Sequence, residues 1–180
     1  MGYSLKYDKE KMARAVLRSG SLSLKDSLMI CNFIRGKKAG SARKMLEEVL
    51  LEKKAIPFTR FHEGAGHKKG KVGPGKYPKK AVFEFIKIIN AAEANAQNKG
   101  LNTGDLIIDG VCANRAGTQW HYGRQRRRKM KRTHLEIVVK EGEKVKRKDE
   151  PKKMKKEKAA ENKSEPNKEV KQETKEENKK

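Results

Sequence analysis

The densest chemistry in this sequence lies between Asn114 and Arg132. There Asn114-Arg115-Ala116-Gly117-Thr118-Gln119-Trp120-His121-Tyr122-Gly123 runs into Arg124-Gln125-Arg126-Arg127-Arg128-Lys129-Met130-Lys131-Arg132. Seven of the last nine residues are basic, and the single Trp of the chain stands beside His121 and Tyr122 just before them. Guanidinium groups grip phosphates through paired N–H donors, and aromatic planes stack on exposed bases. The bland alternative is a solvated loop or a nuclear-targeting patch. Flanking strands and adjacent aromatics favour RNA contact, which makes Arg115, Trp120, His121, Tyr122, Arg124, Arg126, Arg127, Arg128, Lys129, Lys131 and Arg132 candidate RNA-binding residues.

A second basic feature spans residues 64–78, where five glycines alternate with Lys68, Lys69, Lys71 and Lys76. Glycine lets backbone approach a phosphate, and lysine supplies the point charge. We expect a loop here, either flexible or ordered by RNA. Gly70-x-x-x-x-Gly75-Lys76 mimics a nucleotide-binding loop, but Tyr77 stands where a magnesium-binding hydroxyl is required, and no strand is expected before it.

Other chemistry is thin. His62, His67, His121 and His134 are scattered, and a spacing of five between the first two is a weak zinc signal. Asp105 and Asp109, four apart in an expected strand, read as surface charges on one face, and Glu84 and Glu93 as solvated positions of a helix. Cys31 and Cys112 form no C-x-x-C pattern and read as small buried hydrophobes of a reducing compartment. We expect no catalytic residue, no metal, no cofactor and no small-molecule substrate.

The charge balance supports a polyanionic partner. The chain carries 46 Lys+Arg against 23 Asp+Glu, a net of +23. Residues 141–180 hold 15 basic and 11 acidic residues, so residues 1–140 hold 31 against 12, a net of +19. Such a field selects a nucleic acid, an acidic membrane face or an acidic protein, and each phosphate neutralised releases counterions. No apolar run approaches the ~18 residues of a membrane helix. The N-terminus has no signal-peptide pattern, and Lys6 stands where a myristoylation motif wants Ser or Thr. A soluble, intracellular chain is expected.

The elements that must position these groups follow from periodicity. Ser23 with Asp26 forms a capping box for a first helix presenting Leu24, Leu28, Cys31 and Ile34, with Gly36 as its left-handed stop. A second follows Ser41, with Ala42, Met45, Leu46, Val49 and Leu50 as its stripe. A third starts near Pro78, buries Val82, Phe85, Ile86, Ile89, Ala92 and Ala96, and ends at Gly100. Strands are expected at 106–112, at 135–139 with the period of a half-buried strand, and at 13–17. The fold class is α+β: three helices packed on a small antiparallel sheet with a long protruding β-hairpin. Residues 1–142 would form the domain, with the hairpin at about 106–139. Residues 143–180, rich in Lys and Glu, would be a disordered tail. Ten residues per arm reach on the order of 30 Å. Such an arm cannot bury its own side chains, so we expect it to be ordered only on RNA.

Three segments then match one family. Ile34-Arg35-Gly36-Lys37-Lys38-Ala39 is similar to its first marker, Ala91-Ala92-Glu93-Ala94-Asn95-Ala96 with Asn98-Lys99-Gly100-Leu101 to its second, and Lys131-Arg132-Thr133-His134 to its third. Together, over about residues 8–140, they resemble the L twenty-two family of large-subunit ribosomal proteins, called L seventeen in eukaryotes. The glycine- and lysine-rich stretch resembles the archaeal and eukaryotic branch. The resemblance implies an α+β domain seated on large-subunit rRNA near the mouth of the nascent-peptide exit tunnel. Its hairpin would line the tunnel wall, with Trp120 to Arg128 near the tip. It implies early assembly, and as partners large-subunit rRNA, neighbouring large-subunit ribosomal proteins and the nascent polypeptide, in the cytoplasm and without a membrane. It adds Arg35, Lys37 and Lys38 to the rRNA-binding candidates. Two departures stand out. Gly123-Arg124-Gln125-Arg126 replaces the family's Pro-Arg-Ala and Gly-Arg-Ala, and no Ser separates Thr133 from His134. The alternative function is a free nucleic-acid-binding regulatory protein using the same basic arm. That role needs a helix that reads base edges, whereas these helices spend their apolar faces on a core.

Overall fold

A computed structural model describes residues 4–70 and 72–142; the expected tail and Lys71 lie outside the described residues. In chain order the elements are β1 (Met12–Gly20), α1 (Leu24–Ile34), α2 (Ala39–Leu50), β2 (Ile56–Pro57), β3 (His67–Lys68), β4 (Gly73–Lys76), α3 (Lys79–Asn98), β5 (Leu106–Arg115) and β6 (Thr133–Glu141). One antiparallel sheet has the order β1-β6-β5, and a smaller one has the order β2-β4-β3. The α+β class is as expected.

The last strand in sequence takes the centre of the larger sheet. Leu17 pairs with Leu135 on one side of it, and Ala113 pairs with Leu135 on the other. Leu135, Ile137 and Val139 join Ala13, Ala15, Ile108, Val111, Phe85 and Ile89 in the core. Burying each large apolar side chain contributes about 1.5–3 kcal/mol.

Strand β6 is not half-buried, contrary to the alternation read from sequence. Glu136 and Val138, on its second face, are buried too. The N-terminal segment covers that face. Ser4 donates to the Glu136 carboxylate through its backbone N–H at 2.9 Å and its hydroxyl at 2.8 Å, and Leu5 lies against Gly110. A buried carboxylate persists only when its acceptor sites are used, and Ser4 meets that need. Cys112 shares this second face, 3.7 Å from the Glu136 carboxylate, and is only half-buried, which corrects its reading as a core residue. Cys31 is buried, and desolvation pushes its thiol up to about 12.

Helix α1 is rotated relative to expectation. It buries Ser27, Met29, Ile30, Cys31 and Ile34, while Leu24 and Leu28 are only partly buried. Among the described residues, Ser27 Oγ has no hydrogen-bond partner. Ser23 occupies the N-cap position, but its side chain makes no capping hydrogen bond, so the capping box does not form. Gly36 does take the left-handed conformation, with φ 72°. The chain turn after it docks on the free edge of β5, where Gly36 N–H donates to Ile108 O and Ile108 N–H to Lys37 O, both at 2.9 Å. An edge strand covered in this way cannot recruit another chain.

Residues 64–78 are not simply a loop, because β3 and β4 lie within them. Gly75 is needed there. A Cβ on it would sit 3.2 Å from Ala55 Cβ and 3.0 Å from Lys68 Cγ. A short strand does precede Gly70, contrary to expectation, yet Gly73–Lys76 is itself extended and cannot wrap a nucleotide phosphate. Asp105 lies in a one-turn 3-10 helix (Thr103–Asp105) ahead of β5, and Asp109 at a bulge between Ile108 and Gly110. They bind Lys38 and Lys140 respectively, each at 2.7 Å. Glu93 is likewise engaged, 3.5 Å from Arg43 across α2 and α3.

Candidate nucleic-acid interface

Strands β5 and β6 are consecutive and paired antiparallel, and their connection stays together beyond the ladder. Ala116 N–H donates to Arg132 O at 3.1 Å, Met130 N–H to Gln119 O at 2.7 Å and His121 N–H to Arg128 O at 2.9 Å. Trp120 bridges Lys129, and a 3-10 turn at Gly123–Gln125 closes the end. From residue 110 to residue 135 there is no acidic residue, while Arg115, Arg124, Arg126, Arg127, Arg128, Lys129, Lys131 and Arg132 supply eight cations.

Those cations differ in engagement. Arg124, Arg126, Arg127 and Arg128 are exposed at the tip. Trp120 is 58 % exposed with the Lys129 ammonium 4.5 Å over its ring, and Tyr122 is 88 % exposed. Desolvating such rings against a base is favourable, and the adjacent cations are placed for its phosphates. At the root, Arg132 donates to Ser19 O at 2.9 Å, and His134 Nδ1 accepts from Ser19 N–H at 3.1 Å. The Thr133 hydroxyl donates to Leu22 O at 3.0 Å. The third marker therefore fixes the direction in which the connection leaves the sheet.

The other markers are junctions as well. Arg35 donates to Val111 O at 3.1 Å, and Lys38 pairs with Asp105. Lys37 lies 4.1 Å over the Phe33 ring; burial, then the charge of nearby Lys54, lowers its pKa below the usual lysine value. In the second marker, Ala92 and Ala96 are buried, and the Asn95 side-chain amide donates to Arg14 O at 2.9 Å, seating α3 on β1.

The fold also gathers cations that the sequence keeps apart. A cleft of about 550 Å³ opens between the connection and the N-terminal ends of α1 and α3, lined by Ser21, Ser23, Lys79, Lys80, His121, Lys129 and Lys131 together with one acid, Asp26. A neighbouring hollow of about 410 Å³ is lined by Lys25, Arg115, Thr118, Lys131 and Arg132. Ser23 makes no side-chain cap on α1, where Asp26 in the first turn offsets the positive helix end, whereas the first turn of α3 holds no acid and adds to the lysines. Lys25, Lys79 and Lys80 were not singled out from sequence, since nothing in their spacing ties them to residue 129. Of the second basic stretch, Lys68 and Lys76 lie over Tyr77 and Phe58, at 5.3 and 5.1 Å, and Lys69 is exposed. Lys68 and Lys76 belong to the smaller sheet, and none of the three lines either cleft. Among the described residues, no group of three or more His, Cys, Asp or Glu could hold a metal ion.

Residues 15–140 match the family described as Ribosomal protein L22p/L17e. The chain is 41 % identical over 147 residues to the large ribosomal subunit protein uL22 of Thermoplasma volcanium, covering 79 % of this chain and 98 % of that protein. It is 35 % identical to its counterpart in Sulfurisphaera tokodaii, over 75 % of this chain and 93 % of the other. For Methanocaldococcus jannaschii the figures are 36 %, 77 % and 94 %.

Proposed function

Because the chain belongs to the ribosomal protein L22p/L17e family, we propose that it is a structural constituent of the cytoplasmic large ribosomal subunit that clamps large-subunit rRNA. Its β5–β6 connection would act as an arm inserted among RNA segments. The observation that carries this reading is the acid-free, eight-cation connection fixed at its root by three hydrogen bonds. Phosphates fill the two clefts and neutralise the tip, releasing counterions, while Trp120 and Tyr122 stack on unpaired bases. Phosphate contacts of this kind position a protein and carry no turnover. The tip then reaches the exit tunnel and lines its wall beside the nascent polypeptide, and neighbouring ribosomal proteins pack on the remaining surface during assembly. The RNA-binding domain would span residues 1–142; the Lys- and Glu-rich residues 143–180 lie outside the described residues.

Crosslinking and sedimentation of a tagged copy in its own cell extract test this directly. Co-migration with large subunits through moderate salt is expected, with residues 115–132 crosslinked to rRNA and to growing peptide. A free pool crosslinked to DNA or to assorted transcripts would replace this reading with that of a regulator.

A further inference from the structure

We propose that Phe61 is a stacking platform for one unpaired base of the large-subunit RNA, with Lys25 and Arg60 holding the phosphates beside it. The inference rests on the RNA-binding reading above and adds a contact remote from the arm in sequence.

Phe61 sits on the crest of a loop with fixed ends. On one side Phe58 is buried, and its N–H donates to Pro74 O at 2.9 Å; on the other, Ala65 N–H donates to His62 O at 2.9 Å. Between these anchors Phe61 adopts φ 56°, a left-handed backbone that a bulky L residue occupies only under strain. Phe61 is nevertheless 38 % exposed. A glycine or asparagine would relieve the strain, so neither backbone nor core calls for an aromatic at this position.

The surroundings specify the ligand. The Lys25 ammonium lies 5.3 Å from the ring centroid, and Arg60 and His62 are exposed on either side. From residue 55 to residue 80 there are seven Lys and Arg but one acid, Glu63. A lone ring among cations is too small an apolar surface for the core of a protein interface. It suits a nucleotide, whose base has a π-face and whose phosphates need positive charge. Lys25 also lines the hollow with Arg115, Thr118 and Arg132, so phosphates seated there lead toward the ring. Phe83, also exposed, lies on the helical backbone of α3 and shows no such strain.

The test is ultraviolet crosslinking of the full chain to a large-subunit rRNA transcript, followed by mass spectrometry of peptide–nucleotide adducts. An adduct at Phe61 is expected beside adducts at Trp120 and Tyr122. Phe61→Leu, which keeps apolar bulk, should weaken binding by roughly tenfold with the salt slope unchanged, and Phe61→Trp should restore it. Arm adducts without one at Phe61, or Phe61→Leu binding like the parent, would overturn the stacking role alone. So would a Phe61 crosslink to a neighbouring protein in intact subunits, or a Phe61→Leu loss of both melting temperature and binding that Trp does not rescue. Absence of adducts at both places would overturn the RNA reading with it.

Discussion

Residues 34–39 and residues 124–132 look alike on paper, each a short run dominated by Lys and Arg. In the structure the cations of the first run have partners within the protein. Arg35 caps a carbonyl of β5, Lys38 finds Asp105, and Lys37 covers the Phe33 ring. The second run meets no acid, and its four tip arginines face solvent. The difference teaches that a basic run signals a polyanionic partner only where the fold withholds internal acceptors. A guanidinium already donating to a buried carbonyl has fewer donors left for a phosphate, and its loss is felt first in stability.

Replacing Arg124, Arg126, Arg127 and Arg128 together by Ala should separate the two runs most clearly. Affinity for rRNA at moderate salt should fall by about a thousandfold, with the slope of log K against log salt reduced by about 3. The melting temperature should hardly move, since exposed substitutions change stability by about 0.5 kcal/mol or less. Filter binding across a salt series and thermal melts read both; a lost melt with an unchanged slope would invert the assignment.

Arg35→Ala should do the reverse. Removing a charged donor from the Val111 carbonyl should cost about 1.5–3 kcal/mol in denaturant unfolding while leaving most of the salt slope in place. Lys38→Ala, which breaks an exposed pair, should cost about 0.2–1 kcal/mol. Equal costs for the two would show that the carbonyl contact adds nothing.

Ser27→Ala should raise stability by up to about 1 kcal/mol, because it removes a buried hydroxyl with no partner. A clear loss in the melt would mean that Ser27 is satisfied by water. Amide exchange offers the finest gradation. Residues 133–139 of the central strand should exchange only through global opening, whereas His121 and Met130 should exchange through local opening until RNA is bound. Comparable protection in the free protein would contradict the expectation that RNA orders the arm.

Much of the fold was legible because burial leaves periodic marks. The stripe of α3, the position of β6 and the left-handed stop at Gly36 all record local requirements, and they fall where expected. The basic connection was legible for a different reason: eight cations without an acid are visible from composition alone. The pattern failed where a distant segment intervened. Ser4 and Leu5 covering the second face of β6, the rotation of α1 toward Ser27, and the strands inside the glycine-rich stretch depend on contacts between residues far apart in sequence.

From the sequence alone came the demand for a polyanionic partner and the place of the acid-free basic run, since net charge, aromatic placement and the absence of acids are properties of composition that folding does not alter. Only the tertiary structure decided which cations remain available. It placed Lys25, Lys79 and Lys80 around the arm, with Lys79 also paired to Glu52 at 2.6 Å, engaged Arg35 with Val111 O and Lys38 with Asp105, and left Phe61 strained and exposed. Availability depends on which acceptors lie within hydrogen-bond reach in three dimensions, and sequence spacing does not encode that distance.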